Sequence, residues 1–190
     1  MGYKVITAAA SPVIPLADLR QHLRLDLLGG STHPDDALIE GYLGAARAYC
    51  EHYMQRSIGA QTLELALDAF PDGPIELPLG AASITSITYV DESGNLQAMA
   101  SNEYVLDDYS HESWAVVVDA WPTTDAVANS VKVRYVTPAS IDPAVKSALL
   151  LTVGHWYENR EAVIAQRSVV PAELPLGVKA LLNTLQVYSI

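Results

Sequence analysis

Histidine, carboxylate and thiol are the side chains here that could do chemistry, and their spacing decides which chemistry. The histidines are His22, His33, His52, His111 and His155. None forms an H-x-x-x-H pair, and one cysteine, Cys50, supports neither a thiolate zinc site nor an intramolecular disulfide. Cys50 falls inside a helical pattern, where it reads as a small buried hydrophobe. His155 and Glu158 stand three apart on a helical stretch and could supply two metal ligands, in the order opposite to that of di-iron helices. A metal-dependent enzyme would have to combine that pair with the Asp107-Asp108 loop. The other adjacent acids, Asp35-Asp36, point about 100° apart on a helix, which suits the positive end of a helix dipole better than an acid/base couple. Asp68 to Gly73, DAFPDG, lacks the alternating oxygen ligands and closing Glu of a calcium loop and reads as a turn. A nucleophile elbow, a G-x-G-x-x-G and a phosphate-cradling loop are all missing. The expectation is a chain with no catalytic residue, no cofactor and no metal.

The element that organises the rest is Asp142 to Val163. Asp142 can cap the first turn, and Pro143 sits where a missing donor costs nothing. Val145, Leu149, Val153 and Trp156 recur at helical spacing, with Ala148, Leu151 and Thr152 widening the stripe. The helix is expected to reach Arg160. Its polar end places Tyr157, Glu158, Arg160 and Glu161 where a neighbouring surface could meet them.

Before it, residues 1–14 read as an extended arm that lies along another surface. A helical part follows over 15–58. Pro15 begins a helix marked by Leu16, Leu19, Leu23 and Leu27 and ended by Gly29-Gly30-Ser31. Ser31 or Thr32 caps the next, with Pro34, Asp35 and Asp36 in its first turn and an end near Arg56. Leu38, Tyr42, Ala45, Tyr49 and Tyr53 mark its expected buried face, and Gly41 and Gly44 suggest close packing on another helix. The period then shortens to two, from Leu63-Leu65-Leu67 onward, so 59–137 reads as an inserted antiparallel β region of about six short strands. Asp91 to Asn95 is a hairpin loop. Residues 138–186 continue the helical part, ending in a short helix near Gly177 to Gln186 that uses Val178, Leu181, Leu182 and Leu185. The whole is an α+β order with a helical layer of three to four helices. The last residues, 187–190, are apolar for a chain end, so Val187, Tyr188 and Ile190 are expected either to dock on a partner or to fold back on their own domain.

Bulk properties narrow the function further. Half of the 190 residues are hydrophobic, enough to bury a real core. With 22 acids against 11 bases the net charge is −11, and without a basic cluster specific nucleic-acid binding is disfavoured. No apolar run reaches the roughly 18 residues that span a bilayer, and the N-terminal run is too weak for a secretory signal. Synthesis in the cytoplasm and no membrane partner are expected.

Several pieces, in order, carry a resemblance. Phe70-Pro71-Asp72-Gly73 precedes Ile75, Leu77 and Pro78, and then comes Ile84 to Asp91. Tyr104-Val105-Leu106-Asp107 and Val131 to Val136 follow, then Ala148 to Glu161 with His155-Trp156-Tyr157-Glu158-Asn159-Arg160 at its centre. Leu174-Pro175-Leu176-Gly177-Val178 closes the series. Together, over about residues 15–185, the chain resembles the head–tail connector (adaptor) proteins of long-tailed double-stranded DNA bacteriophages and prophages. Thr137-Pro138-Ala139-Ser140 departs from it, where a Gly-rich turn is expected. The resemblance implies a virion neck protein: a homo-oligomeric ring of about twelve copies, closed by unlike faces. That ring would sit beneath the portal protein and extend the DNA channel. It would offer a platform to the stopper or tail terminator, while DNA passes through without specific binding. It also implies that the C-terminal segment engages the portal. Tyr157, Arg160, Val187, Tyr188 and Ile190 are the candidate partner-interface residues. The alternatives are a stopper, expected to be mostly β, the metal-dependent enzyme above, and a cellular binding module.

Overall fold

The computed structural model describes residues 2–10, 12–25, 32–110, 112–125, 127–159 and 176–186. They form, in order, β1 (Gly2–Thr7), α1 (Leu16–Leu23), α2 (Asp36–Met54), β2 (Thr62–Leu67), β3 (Ile75–Glu76), β4 (Ser83–Val90), β5 (Leu96–Ala98), β6 (Tyr104–Asp107), β7 (Trp114–Val117), β8 (Val131–Val136), α3 (Pro143–Glu158) and α4 (Leu176–Asn183). The fold is α+β, with a five-stranded sheet ordered β1-β2-β8-β4-β5 and a three-stranded sheet ordered β3-β7-β6, all pairs antiparallel. The chain divides into two compact units, Met1–Ala10 with Gln55–Ser140 and Ser11–Met54 with Ile141–Ile190. Every strand belongs to the first and every helix to the second.

In the β unit, period-two patterning does what it should. Leu63 and Leu65 on β2 stand opposite Tyr135 and Val133 on β8, and Val133 stands opposite Ile87 on β4. These side chains share one buried cluster with Ile75, Tyr104 and Ala115 of the smaller sheet. Among the described residues no fully buried side-chain nitrogen or oxygen lacks a partner. The Tyr135 hydroxyl donates to the Pro78 carbonyl at 2.9 Å, the Ala81 N–H donates to Ser113 Oγ at 3.0 Å, and the Gln61 N–H donates to Thr137 Oγ1 at 2.9 Å. Loops are thereby tied into the core. The Asp91–Asn95 hairpin is held by Asp91, whose carboxylate accepts the N–H groups of Ser93 and Asn95, with Gly94 at φ 79° closing the turn. Seven of the eight strands among the described residues lie within 59–137, close to the six expected there, and the eighth is β1. Gly2–Thr7, within the stretch read as an arm, is paired to β2 along its length. It escapes a pattern search because all its side chains are exposed.

In the helical unit, α3 packs against each of α1, α2 and α4. Its start is the expected one: the Asp142 carboxylate accepts from the Ala144 N–H at 2.7 Å, with Pro143 opening the first turn. Val145, Ala148, Leu149, Thr152 and Val153 are buried, but Leu151 is exposed and does not widen the stripe. On α2 the expected face is wrong by one position. Ile39, Leu43, Ala46, Cys50 and Met54 are buried, whereas Leu38 and Ala45 are exposed and Tyr42, Tyr49 and Tyr53 stand at the border. Two apolar ladders run side by side here. The aliphatic one goes inside, and the tyrosines, each with a polar hydroxyl, lie at the border. Gly41 and Gly44 lie on the exposed side with open space where a side chain would be, so they mark no close helix contact. The close approach is at Gly154, where a Cβ would stand 3.2 Å from the His22 ring. Helix α1 ends not at the Gly29-Gly30 pair but at Arg24, left-handed at φ 54°, whose N–H and that of Leu25 close onto Gln21 and Arg20.

Candidate assembly surfaces

Two ion-pair systems order the polar surfaces. In the β unit, Lys4 of β1, Glu64 of β2 and Arg134 of β8 lie in one cross-strand row, because Lys4 pairs with Glu64 and Glu64 with Arg134 in the ladder. Lys4 Nζ is 2.8 Å from Glu64 Oε1 and Arg134 is 2.5 Å from Oε2. The carboxylate is 8% exposed, while the lysine and arginine side chains are 65% and 44% exposed. Lys4 first and Arg134 second hold the Glu64 carboxyl below the usual range, against the opposing effect of burial. This clamp fastens the exposed β1 to the sheet.

In the helical unit, Arg20 grips Asp36, with Nε donating to Oδ1 at 2.8 Å and the second nitrogen on Oδ2. The His33 N–H also donates to Asp36 at 2.8 Å. The guanidinium bond is the main reason that the Asp36 carboxyl lies below its ordinary value. Asp36, in the first turn of α2 as expected, therefore also bridges α1 and α2. Asp35 accepts the Tyr157 hydroxyl of α3 at 2.5 Å. Lys146 of α3 reaches Asp18 of α1 at 2.6 Å, and the Tyr53 hydroxyl of α2 donates to Asn183 of α4 at 2.6 Å. All four helices are thus cross-linked at their rims.

Of the expected interface residues, Tyr157 is half-buried and spends its hydroxyl on Asp35. Arg160, Val187, Tyr188 and Ile190 lie outside the described residues, as do His111 and the Gly29-Gly30-Ser31 stretch. The chemically suggestive groups are not brought together. His155 accepts at its carbonyl from Asn159, Asp107 accepts the Tyr109 N–H at 3.3 Å, and no group of three His, Cys, Asp or Glu suited to a metal occurs among the described residues. Asp68 accepts the Asn129 N–H at 2.8 Å and ties the end of β2 to the loop before β8. Cys50 is fully buried, and that burial pushes its thiol up to about 11. No described helix is long and apolar enough to cross a membrane.

Exposed apolar residues mark a surface that motif reasoning passes over. On the smaller sheet, Val105 of β6 and Val118 just after β7 are 53% and 58% exposed, and Tyr109 at the tip between them is fully exposed. An alternation of buried Tyr104 and Ala115 with outward valines was the available signal.

No protein-family model and no curated protein matches the chain. Solved structures do. One chain of the virion of a native gene transfer agent (GTA) particle matches with a TM-score of 0.79 and 23% identity, over 100% of this chain and 97% of that one. Chains from the neck of an empty GTA particle computed with C6 symmetry and from the neck of a native GTA particle computed with C12 symmetry each match with a TM-score of 0.76 and 22% identity, over the same shares. The fold is shared end to end.

Proposed function

We propose that this chain is a structural neck protein of a phage-like particle, a head–tail connector that acts by assembly and not by catalysis. Copies close a ring under the portal, extend the DNA channel and present a platform to the stopper or tail. The observation that carries this reading is the likeness of the fold, over 100% of this chain and 97% of those, to chains of particle necks computed with C12 and C6 symmetry. The acidic balance agrees with it, since a wall that attracted phosphate would retard an outgoing genome. A substantial helical unit beside the strands favours the adaptor over a mostly β stopper. Tyr157, near the end of α3, and Arg160, Val187, Tyr188 and Ile190 are the residues proposed to face partners, the last three at the portal.

The test is co-assembly of the chain with the portal protein of its own particle, read by negative-stain imaging. A ring that forms on the portal is expected. A tube that grows without any portal argues for a tail component, and no association with the portal contradicts the adaptor role. Deleting 187–190 is expected to weaken portal binding; full-strength binding by the truncated chain contradicts the tail-docking proposal.

A further inference from the structure

The outer faces of the two sheets are sorted by charge. Both sheets contribute to one buried cluster, so residues that alternate with the cluster point away from it, in opposite senses on the two sheets. On the five-stranded sheet the outward set contains Lys4, Lys132 and Arg134 against the single carboxylate Glu64, and Lys132 is exposed. On the three-stranded sheet it contains the pair Val105–Val116 and the row Asp107–Trp114–Glu76. Val118, whose N–H donates to the Glu103 carbonyl, extends the apolar centre, and Glu76, Asp107 and Glu103, the last with its carboxylate accepting the Ala100 N–H, form an acidic rim beside it. Between Arg56 and Lys132 the sequence has no lysine or arginine, so that rim holds no such cation of its own.

We propose that these faces are the two halves of a head-to-tail contact between copies of this chain, the acidic-rimmed valine face of one copy seated on the Lys4–Lys132–Arg134 face of the next. The inference rests on the ring reading above and names its interface. A closed ring needs two unlike surfaces on one subunit, turned away from each other, and the β unit carries such a pair. An apolar centre inside a charged rim is the usual anatomy of a specific interface. Opposite charge on the two faces steers the right surfaces together and penalises like-to-like pairing. A second copy fits the cationic face better than nucleic acid does. Glu64 stands among the cations, bound to two of them, and the chain as a whole carries −11.

The test is carbodiimide cross-linking of the purified full chain, which joins amines to carboxylates in direct contact, with the products mapped by mass spectrometry. Intermolecular links from Lys132 or Lys4 to Glu76 or Asp107 are expected, and added salt reduces them. Lys132→Glu and Glu76→Lys each weaken self-association about tenfold, and the double variant, with both faces reversed, recovers it. Links confined to other pairs, with ring assembly on the portal intact, overturn this interface and leave the ring reading standing. The interface is also overturned if no variant self-associates at about 1 mM, the weak end of specific affinities. Duplex DNA binding that is lost in Lys132→Glu, in place of a change in self-association, replaces the second copy by nucleic acid and overturns the proposal. Failure of the ring reading itself shows separately, in the portal co-assembly.

Discussion

The β unit and the helical unit solve the same problem, burying a small core, with polar contacts placed differently. Inside the β unit the hydrogen bonds run from loops into the core: Tyr135 to Pro78, Ala81 to Ser113, Gln61 to Thr137. Inside the helical unit the core is aliphatic, and the polar contacts sit at the rims, where Arg20–Asp36, Lys146–Asp18, Tyr157–Asp35 and Tyr53–Asn183 join one helix to another. Interior hydrogen bonds fix loop conformation and leave the outer sheet faces free to be sorted by charge. Rim contacts fix helix against helix and respond to pH and salt. The comparison teaches that the β unit fixes its loops from within, whereas the helical unit fixes its helices against one another at their rims.

The largest test of that contrast lies in the aliphatic core. Leu149, fully buried on α3, has no polar role, so Leu149→Ala should cost about 3 kcal/mol through lost burial and a cavity, measured by urea denaturation followed by far-UV circular dichroism. A cost below about 1 kcal/mol would mean that the site collapses freely and that α3 is not the centre of the helical core. Next comes Tyr135→Phe, which removes one hydroxyl and leaves the Pro78 carbonyl without its donor. About 1–2 kcal/mol is expected in the same assay, and no change would show that the loop is held by packing alone. Asp142→Ala, which strips the α3 cap, should cost about 1 kcal/mol.

Acid gives a smaller and graded effect. Asp36 and Glu64 both have folded-state pKa values below their ordinary ones. The folded chain therefore binds fewer protons than the unfolded one in that range, and the stabilisation is fully present above the ordinary carboxylate values. It is lost as pH falls through the lowered ones. Urea midpoints should be flat from neutral pH down to about 5 and decline below that. In Arg20→Gln the decline should shrink, because Asp36 loses its main partner, while Lys4→Gln acts on Glu64 in the other unit.

How much of this was legible beforehand follows from how local each signal is. The Asp142-Pro143 start, the Leu63-Leu65 alternation and the Asp91–Asn95 hairpin are local, and the structure has them where the patterns put them. Helix α2 was read one position off because Leu38-Tyr42-Ala45-Tyr49 and Ile39-Leu43-Ala46-Cys50 are neighbouring ladders of similar hydropathy, and only packing chooses between them. The end of α1 at Arg24 was hidden because the left-handed cap there is not a glycine. Pairings between distant positions, Lys4 with Glu64 or Tyr157 with Asp35, leave no trace in spacing. Of the candidate interface, only Tyr157 falls among the described residues. The charge-sorted sheet faces became visible only once register showed which residues share a side.

The central claim, that this chain works as one of many identical copies around a channel, is tested most directly by electron cryo-microscopy of particles that carry it. The account predicts this fold repeated about the channel axis at the head–tail junction, each copy meeting the next through the β units. Its presence as a lone copy away from that axis, or its absence from the assembled particle, would contradict the account.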